Sequence, residues 1–251
     1  MIKSCLKSSF KKTQHWISER TVFGLLGFAI IIIVFKFMLN LPNCKISGPK
    51  DWVDEGIRTF AIRTTWNGDC VKHEPIKLSL QPSEDGGAII RVLGPFFNSP
   101  ARPKGTPGDP FPQLWDYEVV EAFFLNDKNQ YLEVELSPHG HHLLLMLKGM
   151  RNMVKDKLPL TTYKAKIEGD RWKGEAVIPR EYFPPGVTKF NAYAIHGEDD
   201  DRIYEALYPA EKSYDVPDFH RLQYFQPINM EEVLHNFQPK EVSNLWRSVL
   251  H

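Results

Sequence analysis

The chain has 251 residues and a formal net charge of zero, with 31 basic and 31 acidic side chains. This balance argues against general nucleic-acid binding, which usually needs a basic excess to neutralise phosphates. Hydrophobic residues make up 42% and aromatic residues 12% of the chain, a composition that argues against an intrinsically disordered chain. The length allows one large domain, or one domain with an extension.

The N-terminal part of the chain predicts a membrane anchor. Residues 22–41 form a nearly continuous apolar run of 20 residues, interrupted by Lys36, and ~20 such residues cross a bilayer. Five basic side chains and one acidic side chain precede this run, so the positive-inside rule places the N-terminus in the cytosol. A cleaved signal peptide is the alternative, but no clear small-x-small cleavage site follows the run.

We therefore expect a basic cytosolic tail over residues 1–21, a single-pass signal anchor over 22–41 and a linker over 42–56. The remaining chain would then be luminal or extracellular. Cys44 and Cys70 would both lie on that side and can pair there, although the sequence does not give the geometry of a pair.

Short runs rich in β-forming residues, separated by turn signals, follow the linker. These runs are Thr59–Thr65, Ile76–Leu80, Ala88–Leu93, Tyr117–Leu125, Tyr131–Leu136, His142–Leu147, Arg171–Ile178, Lys189–Ile195 and Arg202–Leu207. Their spacing predicts an all-β fold, an antiparallel β-sandwich, over residues 57–228. Met150–Leu158 reads as a short helix or an irregular crossing. Residues 229–251 predict a helical extension, with one helix capped by Asn229 and a second within Lys240–Leu250.

The runs Tyr117–Leu125 and Tyr131–Leu136 form a predicted hairpin. Alternate residues of the first run are apolar on both faces, which predicts a central strand covered on both sides. Glu121 lies in one apolar face, and a buried carboxylate needs a partner. Glu133 and Glu135 share one face of the second run. That face is either solvated or binds a ligand or a cation, since neighbouring carboxylates repel each other.

Several motifs carry a resemblance to known domains. WDYEVVEAFFL, YLEVELSPHG, RWKGEAVIPREYF, KFNAYAIHG and YEALYP occur in the order seen in carbohydrate-binding-module family 9-like domains. Together with TWNGDCVKHEP and YFPPGVTKFN, they resemble more closely the uncharacterised chromosome-4-open-reading-frame-33 family, over roughly residues 62–246. The resemblance implies a jelly-roll-type β-sandwich and brings no established activity. Chains of that family mostly begin near Phe60, so the anchor is an addition in this sequence.

Sugar-binding sites combine aromatic faces that cover C–H patches with a few polar groups that fix hydroxyls. The candidate ligand-binding residues are Trp115, Glu118, Glu121, Glu133, Asn191, His196, Glu205 and Tyr208. Trp66, Trp172 and Tyr204 are further aromatic candidates, with core packing as the alternative for each Trp. Two departures from the family 9-like pattern concern this site: Ala194 replaces an Arg, and no Trp lies near Tyr208.

Two groups of residues are candidate metal sites. His139, His141 and His142 follow the acidic strand, but their spacing matches no strong metal signature. The acidic run Glu198–Asp201 supplies oxygen ligands that suit calcium, which family 9-like domains use, but an acidic turn is usually solvated. We therefore expect no resident cofactor, with calcium as the alternative.

The chain has no Gly-x-Ser-x-Gly motif, no His-Glu-x-x-His motif and no phosphate-binding glycine loop. The sequence therefore favours a non-catalytic, membrane-anchored module that binds carbohydrate. The alternatives are a structural or protein-interaction domain whose sugar site has decayed, and an enzyme that acts on glycans through paired carboxylates.

Overall fold

The computed structural model describes Cys44 and residues 57–250. The expected cytosolic tail, the anchor and all of the linker except Cys44 lie outside the described residues. Among the residues described, no helix is both long enough and apolar enough to cross a membrane. The strands are β1 (Arg58–Ile62), β2 (Thr64–Thr65), β3 (Ile76–Pro82), β4 (Ala88–Pro95), β5 (Val119–Asn126), β6 (Gln130–Leu136), β7 (His142–Lys148), β8 (Met153–Lys155), β9 (Tyr163–Glu168), β10 (Arg171–Ile178), β11 (Val187–His196), β12 (Ile203–Ala206) and β13 (Gln226–Pro227).

The strands form two antiparallel sheets, which confirms the predicted all-β fold. The smaller sheet has the order β1-β3-β4-β10-β9. The larger sheet has the order β2-β12-β11-β5-β6-β7-β8, and β13 pairs with β11 beside this path. The hairpin of β5 and β6 lies in the middle of the larger sheet, with Glu121 opposite Glu135 in the register.

One hydrophobic core fills the space between the two sheets. Alternate residues of both sheets supply it, among them Leu78, Ile90, Phe124, Val134 and Phe190. This alternation follows from strand geometry, because successive side chains point to opposite faces. The inner faces of the strands are therefore mainly apolar.

A second hydrophobic cluster covers the outer face of the larger sheet. Phe123, Tyr131 and Tyr193 belong to it, and Phe219 and Phe225 pack onto them from the segment that follows β12. The central strand β5 is consequently buried along its whole length, as its two apolar faces predicted. Both carboxylates of β6 are also buried, so the reading of that strand face as solvated is wrong.

The irregular parts of the fold differ from the sequence predictions. Residues 150–158 contain the short strand β8 where a helix was one expectation, and strand β9 was not predicted at all. Strand β9 alternates between exposed and half-buried residues, so it carries little apolar periodicity for a sequence reading to detect.

The C-terminal helices are shorter than expected. Asn229 does cap a helix, by accepting from Glu231 N–H at 3.2 Å, but that helix is a single 3₁₀ turn. The α-helix α1 spans Asn244–Val249 and begins where the Ser243 hydroxyl accepts from Trp246 N–H. Trp246 is fully buried, and its indole N–H donates to the Tyr182 carbonyl at 2.9 Å.

Cys44 and Cys70 form a disulfide. Cys70 lies just after β2 and pairs through its backbone with Thr64. The disulfide therefore links Cys44 to the edge of the larger sheet.

Candidate functional site: two clusters on opposite faces of one sheet

A cavity of ≈ 280 Å³ opens on the outer face of the larger sheet. Its floor is formed by strands β5, β6 and β7, and its walls by the segments around Trp115 and Phe219. The lining residues are Trp115, Glu121, Glu133, Leu145, Leu147, Arg151, Met153, Ile195, Tyr204, Pro217, Asp218, Phe219 and His220. Trp115 is 38% exposed, so part of its ring is accessible at the mouth of the cavity.

Three buried carboxyl groups meet at the floor of this cavity. Glu121 on β5 and Glu133 and Glu135 on β6 each offer an oxygen within 4.8 Å of the others. The register explains the cluster, because Glu121 lies opposite Glu135, and Glu133 is two residues away on the same face. Among the described residues, Glu133 Oε2 and both oxygens of Glu135 have no hydrogen-bond partner outside this group of carboxyls.

Burial keeps these carboxyl groups protonated at pH values at which an exposed glutamate is ionised. It raises the pKa of Glu133 to about 8, against a lowering by the positive charge of Arg151. Burial, followed by the charge of Glu133, raises the pKa of Glu121 well above its ordinary value. Burial, with the charges of Glu121 and Glu133, does the same to the pKa of Glu135. The floor of the cavity is therefore largely neutral at neutral pH.

A hydrogen-bonded network forms the far rim of the cavity. Arg151 pairs with Asp218 at 2.7 Å, and the Arg151 backbone N–H donates to the Tyr131 hydroxyl at 3.1 Å. That hydroxyl lies 2.7 Å from Nδ1 of His220. Burial, together with the charge of Arg151, lowers the pKa of His220 to about 4. His220 is therefore a neutral ring at physiological pH.

Arg202 holds the near rim. Its guanidinium donates to the carbonyl groups of Trp115 and Asp116 and to the Tyr204 hydroxyl. It also lies 5.5 Å from the centre of the Tyr204 ring. One side chain thus holds both the Tyr204 ring and the backbone at Trp115.

A second polar cluster lies at the opposite face of the same sheet. Glu205 on β12 is fully buried, and its Oε1 lies 2.7 Å from His73 Nε2 and 2.8 Å from His196 Nε2. Burial raises the pKa of Glu205, but the hydrogen bonds from His196 and His73 outweigh this effect, and the net shift is downward. Glu205 is therefore ionised where the three glutamates of the cavity are not.

Glu118 supports this second cluster from the side. Its carboxylate accepts from the backbone N–H groups of Phe97 and Asn98, at 3.1 and 2.8 Å. Phe97 in turn stacks on His196 with ring centres 3.5 Å apart. Burial raises the pKa of Glu118 to about 7 against the effect of these hydrogen bonds.

The structure thus divides the eight residues selected from the sequence. Trp115, Glu121 and Glu133 line the cavity, whereas Glu118, His196 and Glu205 lie at the second cluster. Asn191 and Tyr208 lie at neither, because the Asn191 amide is used to bind the backbone of Tyr208. Among the further aromatic candidates, Tyr204 lines the cavity, Trp172 is buried in the core between the sheets, and Trp66 packs on the outer-face cluster.

Among the described residues, neither the histidines His139, His141 and His142 nor the acidic run Glu198–Asp201 belongs to a group of side chains that could hold a metal ion. His142 faces the core between the sheets, opposite to Glu133 and Glu135, since it pairs with Leu136. Its Nε2 accepts from Leu160 N–H, and burial lowers its pKa to about 4. The four residues Glu198–Asp201 are exposed, and three of them form a 3₁₀ turn.

Sequence reasoning missed His73, Arg151, Arg202 and His220 as members of these clusters. Their positions depend on loops that fold back over the sheet. His73 stands within the motif TWNGDCVKHEP, which was a signal, but nothing in the sequence placed it beside His196. The alternation of β6 did identify Glu135, whose partners only the sheet register reveals.

The fold is shared with a solved structure. The structure of a proposed carbohydrate-binding protein from Bacteroides uniformis aligns with 68% of this chain and 85% of its own, with a TM-score of 0.51 and 14% identity. A carbohydrate-binding module of family 9 from Caldicellulosiruptor kristjanssonii, in complex with cellotriose, aligns with a TM-score of 0.40 and 11% identity over 76% of this chain. The first likeness shows a common β-sandwich fold, and the second is too low to support an argument.

The sequence relatives define the family. A mouse protein, UPF0462 protein C4orf33 homolog, is 52% identical over 192 residues, which are 74% of this chain and 99% of the relative. The human UPF0462 protein C4orf33 is 50% identical over 74% of this chain and 96% of its own length. The chain belongs to the UPF0462 C4orf33 family. No protein-family model matches it.

Proposed function

We propose that the protein is a non-catalytic, carbohydrate-binding module whose ligand occupies the outer-face cavity. The observation that carries this proposal is an open cavity with Trp115 and Tyr204 on one side and buried carboxyl groups on its floor. Aromatic rings stack on the C–H faces of sugars, and polar groups beside them fix the hydroxyls.

The charge of the cavity favours a neutral sugar. The raised pKa values leave the carboxyl groups of Glu121 and Glu133 protonated at neutral pH. A protonated carboxyl both donates and accepts hydrogen bonds, as a sugar hydroxyl does. The guanidinium on the rim, Arg151, is already paired with Asp218 and so does not add an anion-binding charge.

The size of the cavity favours a small part of a glycan. Its volume of ≈ 280 Å³ lies just below the range of ~300–1,000 Å³ that is usual for small-molecule sites. The cavity therefore suits a terminal sugar of a longer chain or a free monosaccharide. Binding of this kind requires no nucleophile.

A glycan array probed with the full-length chain tests the proposal. We expect binding to a subset of neutral glycans, with loss of signal for Trp115→Ala, which removes the stacking ring, and for Glu121→Ala, which removes the polar group from the floor. Glu168→Gln is the matched control, since Glu168 is half-exposed on the smaller sheet. A wild-type chain that binds no glycan, or variants that bind as well as wild type, would leave a protein-interaction domain as the better account.

We also propose that residues 22–41 anchor the protein, with the N-terminus cytosolic and the β-sandwich luminal or extracellular. The apolar run and its basic flank support this topology. The Cys44–Cys70 disulfide supports it too, because disulfides persist mainly in oxidising compartments. Protease added to sealed microsomes whose cytosolic face points outward should spare the sandwich. Digestion of the sandwich without detergent would contradict the topology.

A further inference from the structure

The cluster of His73, His196 and Glu205 lies outside the cavity and takes no part in the proposed sugar binding. Three segments supply its residues: the loop before β3, the end of β11 and the strand β12. Each residue offers one ligand atom, and these atoms lie within 4.8 Å of one another. Two imidazoles and one carboxylate form a donor set that zinc enzymes and other transition-metal sites use.

The hydrogen bonds of His73 identify what its Nε2 faces. His73 Nδ1 lies 2.9 Å from the Glu74 carbonyl, and a carbonyl only accepts, so Nδ1 carries a proton. In a neutral ring, Nε2 then has a lone pair, which would face a carboxylate oxygen 2.7 Å away. This arrangement is stable only with a second proton on the ring or with a cation bound between the two atoms.

The His73–Glu74 contact is also the usual support of a metal ligand. Histidines that bind metals almost always donate their other ring N–H to a carbonyl or a carboxylate, which fixes the tautomer and the orientation of the ring. His196 is oriented differently, through stacking on Phe97, whose backbone Glu118 holds. Both rings therefore present Nε2 to the same point.

The second carboxylate oxygen supplies an independent observation. Glu205 Oε2 is buried and has no hydrogen-bond partner among the described residues. A buried oxygen without a partner costs free energy, whereas a metal ion bound by Glu205 would engage it. Access exists, because the side chain of His73 is 23% exposed while that of Glu205 is 0% exposed.

We propose that His73, His196 and Glu205 bind one divalent transition-metal ion, with zinc as the best fit. Zinc–ligand bonds of ~2.0–2.2 Å at tetrahedral angles separate neighbouring ligand atoms by about 3.3–3.6 Å. The 2.7 and 2.8 Å between Glu205 Oε1 and the two nitrogens would therefore widen by about 0.5–0.9 Å on metal binding. Three protein ligands leave a fourth position for water or a small molecule.

Metal content of the purified full-length chain tests the site. After loading with Zn²⁺ and dialysis, we expect about one zinc per chain, and we expect Co²⁺ to give the visible absorption of a low-coordinate nitrogen and oxygen site. The variants His73→Asn, His196→Asn and Glu205→Gln should each raise the Kd for Zn²⁺ at least about tenfold. His235→Asn and Glu168→Gln, at exposed positions, are the matched controls and should bind as wild type.

A measurement on the wild-type chain keeps the proposal falsifiable if a variant fails to fold. In a chain labelled with ¹⁵N-histidine, Zn²⁺ should shift the Nε2 signals of His73 and His196 and leave those of His139, His141 and His142 in place. A wild-type chain that retains no zinc, zinc binding that survives the loss of all three ligands, or shifts confined to other histidines would each overturn the proposal.

Discussion

The two faces of the larger sheet each bury glutamates, but they treat them in opposite ways. On the inner face, Glu205 has two histidine partners, and its pKa is lowered. On the outer face, Glu121, Glu133 and Glu135 have mainly each other, and their pKa values are raised. The partners of a buried carboxyl group therefore decide its charge, and the charge then decides which ligand suits the face.

The largest expected effect is on the inner face. Glu205→Leu in metal-free protein leaves two histidines without their acceptor, and loss of one partner of a buried pair costs about 3–5 kcal/mol of unfolding free energy. Urea denaturation of Glu205→Leu and of the exposed Glu168→Leu measures this difference. Equal stabilities of the two variants would show that the inner cluster is not a coupled pair.

The matching change on the outer face should act in the opposite direction. The buried carboxyl group of Glu135 faces the carboxyl groups of Glu121 and Glu133, and burial together with these neighbours raises its pKa, so Glu135→Met removes a poorly partnered buried group of similar length. We expect a gain of about 1–3 kcal/mol in the free energy of unfolding, again measured in urea. A loss of stability would mean that the three carboxyl groups stabilise one another.

The pH dependence distinguishes the faces further. Glu133 has a pKa of about 8 in the folded chain against an ordinary value of 4.5, so the folded state binds its proton more tightly. Its contribution is complete below pH 4.5 and is lost as the pH rises to about 8. Urea midpoints at pH 5, 7 and 8.5 should therefore fall less steeply for Glu133→Gln than for wild type. Parallel profiles would contradict the raised pKa.

The smallest expected effect concerns the support of His196. Glu118→Gln weakens the hydrogen bonds that hold Phe97 and Asn98, each worth about 1.5–3 kcal/mol when the acceptor is charged. We expect the affinity for Zn²⁺ to fall about tenfold, or more, and glycan binding to stay unchanged. Competition with a zinc-binding dye measures the former. A larger effect on glycan binding than on zinc would show that Glu118 serves the outer cavity.

The fold could be predicted largely from the sequence, but the clusters could not. Alternating apolar residues mark β5 and β6 because a covered strand needs them, and this pattern also places Glu121 in a buried face. Strand β9 carries weaker periodicity, and the sequence did not predict it. The C-terminal helices also carry weak periodicity, and they are shorter than the sequence predicted. His73 and Glu205 are 132 positions apart in the chain, and their side chains meet only in the folded structure. Local patterns contain no information on such a contact.

The most direct test of the account measures both ligands on the same protein. Calorimetric titrations of wild type, Glu121→Ala and Glu205→Gln with Zn²⁺, and with a neutral glycan identified by the array, separate the two faces. The account predicts that Glu121→Ala loses the glycan and keeps zinc, while Glu205→Gln loses zinc and keeps the glycan. Loss of both ligands in either folded variant, or of neither ligand in both, would contradict the division of the sheet into two independent sites.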